Sequence, residues 1–464
     1  MKKITKSSKD NMNNWTISGR KTLKNAMEKF EKNKQGILFV VDDKKRLIGS
    51  ITDGDIRRAI LLGKHIGLSV RISMNPNPYA FRVKAPILDT DTLQFLRENN
   101  FLYIPVLNPS NKIIDVVSIN QEVVSTKKLP HIRKKKSVLV IGGAGYIGSV
   151  LIRLLLKNGY YVKIFDSLLY GDASIKELYK HPKLELVAGD TRNIRAVNDA
   201  VNGVNTIVHL GEIVGDPACA LDEEYTLSVN FTGTENIVQT AGKTEVERFI
   251  YASSCSVYGF GTKPFNEKSS VNPLSLYAKT KLECEKMILS LQKAGKTAVV
   301  LRLATVFGWS PRIRFDLVVN YFCLRAFLRK KIEILGGNQW RPFIHVQDVA
   351  IVILKAIGAP VLNVKGHILN VGGNNLNIKL QKLADLITNE FGGPEVESVK
   401  TRKDRRSYRV DFSKIEKLLN FIPTRDISNG IGEIKHYLER NTMQKKYLRY
   451  SSNLVSLAPG LERE

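Results

Sequence analysis

Tyr277 and Lys281 stand four residues apart in the segment Tyr277-Ala-Lys279-Thr-Lys281. On a helix, positions i and i+4 share a face. The stripe continues through Cys284 and Ile288, so phenol and ammonium belong to the apolar, inward side. A lysine stem can snorkel out of such a place. Held beside the phenol, its charge instead favours phenolate and draws the tyrosine down from about 10 toward neutral pH. That is the chemistry of a general base for a hydroxyl proton. Upstream, Ser253-Ser254-Cys255-Ser256-Val257-Tyr258-Gly259 places hydroxyls at the end of a predicted strand.

A second set of residues could hold phosphates. Gly142-Gly143-Ala144-Gly145-Tyr146-Ile147-Gly148 follows the β-branched run Ser137–Ile141. It opens an amphipathic helix with Leu151, Leu154 and Leu155, closed by Gly159. Glycines there allow a tight turn, close approach of backbone N–H groups to a pyrophosphate, and close helix–strand packing. The helix N-terminus favours the phosphates. A second strand, Tyr161–Phe165, ends at Asp166, at the distance where an acidic side chain holds an adenosine ribose 2′-hydroxyl. A 2′-phosphate would be repelled there, which favours NAD over NADP. Further strands end in Gly189-Asp190-Thr191, Gly211-Glu212 and Ser253-Ser254. Ligands sit outside the carboxyl ends of an open parallel sheet, so these strand ends are candidate contacts.

The spacing GxxGxxG with these strand ends resembles the extended short-chain dehydrogenase/reductase family, over Ser137–Leu438. Its NAD-dependent nucleotide-sugar epimerases and dehydratases, of the UDP-glucose 4-epimerase type, are the nearest pattern. The resemblance implies cofactor contacts from Gly142, Gly145, Tyr146, Ile147, Gly148, Asp166, Asp190, Thr191 and Leu210. Asp190 and Thr191 would lie against the adenine. His209-Leu210 matches a strand end beside the cofactor, with Gly211 and Glu212 in place of the usual alanines. SSxxVYG makes Ser254 the catalytic hydroxyl. Tyr277 would remove the sugar proton while hydride passes to the nicotinamide, and Lys281 would hold the nicotinamide ribose. Trp340-Arg341-Pro342-Phe343-Ile344-His345-Val346-Gln347-Asp348 resembles a family segment whose arginine, here Arg341, contacts the substrate diphosphate. Asn320 and Arg406 are the further substrate contacts implied. Asp348 reads as the cap of the next helix, and Asp216-Pro217 as N-cap and N1 of another.

A 4,6-dehydratase of this family has Asp-Glu after the catalytic hydroxyl, where this chain has Cys255 and Ser256. Epimerisation through a 4-keto intermediate is therefore the expected reaction. Dehydration and ketosugar reduction stay open, as does a nucleotide-sensing regulatory protein without turnover. A homodimer is expected.

Before the linker Lys127–Lys136 lies a weak internal repeat. Ile37–Val41, a turn and Leu47–Thr52 precede a helix from near Asp53; Tyr103–Leu107, a turn and Ile113–Ile119 repeat the strands. LIGSITDGDIRRAILLG resembles the end of a cystathionine-β-synthase (CBS) domain, and residues 14–125 a CBS pair of the kind joined to sugar nucleotidyltransferases. By that resemblance, Thr52 would meet the phosphate and Asp55 the ribose of a regulatory adenine or guanine nucleotide. As plain residues, Thr52 and Asp55 also suit a helix start. In the second half Asp115, Ser118 and Asn120 depart from the motif.

The expected fold class is thus α/β. A Rossmann-type doubly wound parallel sheet carries a smaller C-terminal substrate subdomain and follows an α/β CBS pair. The boundaries are 1–126 for the pair, 127–136 for a basic linker, 137–440 for the oxidoreductase and 441–464 for a flexible tail. The 464 residues carry 71 Lys and Arg against 44 Asp and Glu, a net +27. Such an excess suits anionic partners. Without a nucleic-acid motif or aromatic interleaving, phosphate-bearing small molecules fit better than RNA or DNA. The four cysteines are widely spaced, with no CxxC pair, so neither a disulfide framework nor a metal site is expected. No apolar stretch follows the basic MKKITKSSKD, and no segment reads as a membrane span. A cytoplasmic protein is expected.

Overall fold

The computed structural model describes residues 9–33, 36–53, 55–56, 59, 64–82, 103–118, 136–328, 331–334, 336–393, 395–398 and 406–440. The chain divides into two compact units, Met1–Glu122 and Val123–Glu464. Most of the expected linker and all of the tail at 441–464 lie outside the described residues, as do Asn120, Asp404 and Arg405.

In the first unit, β1 (Thr16–Ser18), β2 (Ile37–Val41) and β3 (Leu47–Thr52) form one sheet. A second holds β4 (Phe81–Arg82), β5 (Tyr103–Leu107) and β6 (Ile113–Ser118). The hairpins β2–β3 and β5–β6 are both antiparallel, with a register shift at matching places, Val40/Val41 and Val106/Leu107. This is the internal repeat expected from the sequence. Helix α1 (Leu23–Asn33) buries Leu23 and Ala26 against Leu38, Val40 and Ile51. Residues 53, 55, 56 and 59 are helical, and Ile56 and Ala59 join the same core.

The second unit is built on seven parallel strands. They are β7 (Ser137–Ile141), β8 (Tyr161–Asp166), β9 (Leu184–Ala188), β10 (Thr206–His209), β11 (Arg248–Ser254), β12 (Thr297–Leu303) and β16 (Ile368–Val371). Their order is β16-β12-β11-β10-β7-β8-β9. The runs are apolar and β-branched because both faces are covered, as parallel sheets require. The winding reverses between β7 and β10, which opens a crevice at their carboxyl ends. Helix α2 (Gly148–Lys157) packs on one face, where its Leu151, Ile152 and Leu155 meet α8 (Val346–Gly358) in the same core. Helices α3 (Ile194–Val201), α5 (Gly233–Lys243) and α6 (Leu276–Ser290) cover the other. Short α4 (Asp216–Leu221) precedes α5.

A second core belongs to the C-terminal part. It gathers Phe307, Ile313, Phe315, Phe322 and Phe343 with α7 (Val318–Phe327), α9 (Leu380–Phe391) and α10 (Ile427–Arg440). This is the expected smaller subdomain. Small sheets join β13 (Thr305–Phe307), β15 (Trp340–His345) and β17 (Asn377–Lys379), and pair β14 (Ile332–Ile334) with β18 (Val396–Ser398). Among the described residues, no helix is long and apolar enough to cross a membrane, and no group of three or more His, Cys, Asp or Glu is placed to hold a metal ion.

Two expected helix caps are corrected. The cap of α8 is His345, whose Nδ1 accepts from Gln347 N at 3.2 Å. Asp348 sits a turn later, fully buried, and accepts from Thr424 N, Thr424 Oγ1 and Arg425 N. It fixes a loop rather than its own helix. At α4 the cap is Gly215, and Asp216 is already helical.

Candidate active site

A cavity of about 620 Å³ opens at the crevice between β7 and β10. Its wall includes the glycine loop, Asp166, Asp190, Thr191, Leu210, Ser254, Tyr277, Lys281, Arg341 and Arg406. Residues from eight separate segments thus converge as the sequence pattern implies. Asn320 does not line it.

The glycine loop is shaped by its own backbone. Gly142 adopts φ +80°, and a Cβ there would come within 2.7 Å of the Gly211 backbone. At Gly148 a Cβ would come 2.2 Å from Gly142 O. Asp166 braces the loop by accepting from Ala144 N at 2.9 Å and Leu168 N at 2.8 Å. Burial raises its proton affinity, against these two N–H donors. Tyr146 donates to Gly308 O at 2.7 Å and so ties the loop to the far wall. Asp190 turns toward Arg192, which holds its carboxyl below the usual range against the opposing effect of burial.

The candidate catalytic group is carried by β11 and α6. Ser275 caps α6 by accepting from Ala278 N, and Ser275 Oγ donates to Asp216 at 2.7 Å. Tyr277 and Lys281 then face the carboxyl ends of β10 and β11. The Lys281 ammonium lies 5.9 Å from the Tyr277 ring centroid and donates to Ala252 O at 2.5 Å. Burial raises the Tyr277 phenol above its ordinary value; the Lys281 charge and a hydrogen bond from Ser254 pull the other way, and Glu212 adds to the rise.

Glu212 had no role in the sequence pattern. Its side chain is 1% exposed and pairs with Lys281 Nζ at 3.0 Å. Its other oxygen accepts from Tyr251 at 2.7 Å. Burial works against the Lys281 ammonium, but Glu212 first, then Tyr277 and Cys284, together more than offset it and raise its proton affinity. His209, 3.8 Å from Glu212, is neutral: burial and the Lys281 charge push it down to about 3. Thr234 gives its single hydroxyl proton to Asn230 O, so the proton between His209 Nε2 and Thr234 Oγ1 belongs to the ring.

The substrate side differs from the expectation at Asn320. Asn320 is fully buried; it accepts from Gly308 N at 3.2 Å and donates to Arg314 O at 2.9 Å. It shapes the 308–316 loop, and that loop brings Arg312 and Arg314 to the cavity. Arg312 stacks 4.0 Å over Tyr170. Arg314 pairs with Asp316, Nε to Oδ1 at 3.1 Å. Sequence reasoning missed both arginines, although Pro311-Arg-Ile-Arg314 directly after a strand was a visible signal. Arg406 reaches the cavity wall, where it is ion-paired with Asp216. Arg341 donates to Trp340 O at 2.9 Å and to Arg406 O, and lies over Tyr408.

In the N-terminal unit Thr52 and Asp55 bind each other. Thr52 N and Oγ1 both donate to Asp55 Oδ2, at 2.8 and 2.7 Å, and Asp55 N returns a bond to Thr52 Oγ1. This is a capping box. The helix-start reading of these two residues holds.

Known proteins sharpen the picture. The model of the NAD dependent epimerase/dehydratase family matches residues 138–372, and that of the CBS domain residues 12–62. A putative UDP-glucose 4-epimerase of Methanocaldococcus jannaschii is 29% identical over 313 residues, 66% of this chain and 99% of that one. A UDP-glucuronate 4-epimerase of Thermodesulfobacterium geofontis is 28% identical over 328 residues, 65% and 96% of the two chains. The solved UDP-glucuronic acid 4-epimerase of Bacillus cereus, in complex with UDP-glucuronic acid and NAD, shares the fold. Its TM-score is 0.59 at 24% identity, over 66% of this chain and 99% of that one.

NAD is the cofactor of the family, and the residues present fit it. The glycine cradle leaves no room for side chains, and Asp166 and Asp190 sit at the adjacent strand ends. The family match runs from the strand before Gly142 to the end of β16, so over this half of its length the chain belongs to the NAD dependent epimerase/dehydratase family, and it carries a CBS domain ahead of it.

Proposed function

We propose that the chain is a nucleotide-sugar 4-epimerase that works through a 4-keto intermediate. The observation that carries this reading is the convergence of Ser254, Tyr277 and Lys281 with Arg341 and Arg406 on one cavity. NAD supplies the hydride acceptor and donor when bound. Tyr277 takes the proton of the sugar hydroxyl. Ser254 orients that hydroxyl, and Lys281 holds the charge beside the phenolate. Arg341 and Arg406 suit the diphosphate, since guanidinium groups bind phosphate in a fork.

Cys255 favours epimerisation over 4,6-dehydration. The thiol is buried, donates to Arg302 O at 3.1 Å and is outside the cavity wall. Burial pushes it far above the ordinary thiol range, so it is no acid for a departing hydroxyl. The relatives' names point to UDP-glucose and UDP-glucuronate as first substrates to try. Incubation with NAD and a panel of nucleotide sugars, read by mass spectrometry and sugar analysis, tests the reading. A new sugar at unchanged mass supports it, and loss of water overturns it. Tyr277→Phe turning over as wild type would remove the mechanism.

The reading extends to a homodimer and to an adenine or guanine nucleotide at the N-terminal module beside Thr52 and Asp55. Equilibrium sedimentation and calorimetric titration of the full chain test these two points.

A further inference from the structure

Glu212 occupies a place where the family pattern has alanine, yet its buried carboxylate touches the lysine that serves the base. Every neighbouring element presents a group to this pair. From β10 comes neutral His209, and from β11 the Tyr251 hydroxyl. Helix α6 adds Tyr277 and Cys284, α4 adds Cys219, and the 308–316 loop adds the more distant Arg314. Among the described residues, only Lys281 and Glu212 carry charges in direct contact here. With Tyr277 protonated the two cancel. Loss of the phenolic proton leaves one net negative charge in a buried place. With alanine at 212 the same step would run from one positive charge to zero.

We propose that Glu212 is a positioning residue that acts through Lys281. It clamps the ammonium between its own carboxylate and the Ala252 carbonyl, and so sets the charge against which Tyr277 gives up its proton. The phenolate therefore forms at a higher pH than beside an unpaired lysine. A nearby charge of one sign moves such an equilibrium by about 1–3 pH units. The Tyr251 hydrogen bond holds the carboxylate in place for this role.

The inference rests on Tyr277 as the base, but its test needs no turnover. Ultraviolet titration of the full-length chain with NAD bound, wild type minus Tyr277→Phe, isolates the ionisation of this phenol. The same difference is taken in Glu212→Gln, Glu212→Ala and Glu212→Asp backgrounds. The midpoint falls by about one pH unit in Gln and Ala and stays near wild type in Asp, which keeps the charge. Once a substrate is in hand, the acid limb of kcat/KM moves with it. An unchanged or higher midpoint in a folded Gln or Ala variant overturns the proposal. Should Gln fail to fold, Ala decides, because alanine is the residue this strand end ordinarily bears. A failed epimerase assay leaves the titration readable, so the two readings fall separately.

Discussion

Glu285 and Arg302 face each other in a buried two-point ion pair, Arg302 Nε to Oε1 at 2.9 Å and Nη2 to Oε2 at 2.7 Å. Ser253 also donates to Glu285, and Arg302 Nη1 to the Tyr258 hydroxyl. The pair bolts α6, which bears Tyr277 and Lys281, to the ends of β11 and β12. Removing one partner leaves the other charge buried and unpaired. Glu285→Ala should therefore lose about 3–5 kcal/mol of stability. Glu285→Leu combined with Arg302→Met should recover most of it. Urea unfolding of the second unit, followed by circular dichroism, compares the single and double variants.

His209 gives a pH prediction with a definite sign. Its folded value is about 3, against an ordinary 6.5. The unfolded chain therefore binds a proton that the folded one refuses. The stability carried by the neutral ring is complete above the ordinary value and is lost as pH falls toward the folded one. The slope reaches about 1.4 kcal/mol per pH unit. His209→Gln should flatten the stability curve below neutral pH. A parallel pair of curves would show that the ring does not contribute.

Gly148→Ala should damage cofactor binding without touching a catalytic group. The added methyl meets Gly142 O and the Gly143 backbone, neither of which is a flexible side-chain end. Overpacking of this kind costs about 1–3 kcal/mol. Since the displaced backbone is the phosphate cradle, calorimetry should find NAD affinity lowered by about tenfold or more.

The capping box predicts an N-terminal effect. Thr52→Ala should destabilise the first unit by about 1 kcal/mol, and Thr52→Ser by much less, because serine retains the acceptor. Hydrogen exchange within residues 53–59 reads the loss locally.

Legibility in the sequence followed distance along the chain. The glycine loop, the strand–helix alternation and the Tyr277/Lys281 face are local patterns, and each forms where expected. The Thr52/Asp55 motif was legible as a helix start for the same reason. Glu212 stood out as an oddity, but its partner could be named only once β10 was known to lie beside β11 and α6. Asp348 misled because it occupies a plausible capping position while its side chain serves a loop remote in sequence, and Asn320 because its side chain turns back to the loop just before its own helix. Arg312 and Arg314 were missed because their approach to the cavity depends on the Asn320 contacts that turn their loop inward.

The packing of α2 against α8 bears on how this protein is made. Leu151, Ile152 and Leu155 are completed by Val349, Val352 and Ile353, which follow about 200 residues later. A ribosome releases the whole glycine loop, β11 and α6 long before it releases that cover. Until then part of one apolar face, and the inner side of α2, stand uncovered, and such surfaces are where nascent chains stick to one another. Chains interrupted before Val346 should thus accumulate in inclusion bodies even though the glycine loop, Ser254, Tyr277 and Lys281 are all present, and a chaperone would be needed until that helix is made.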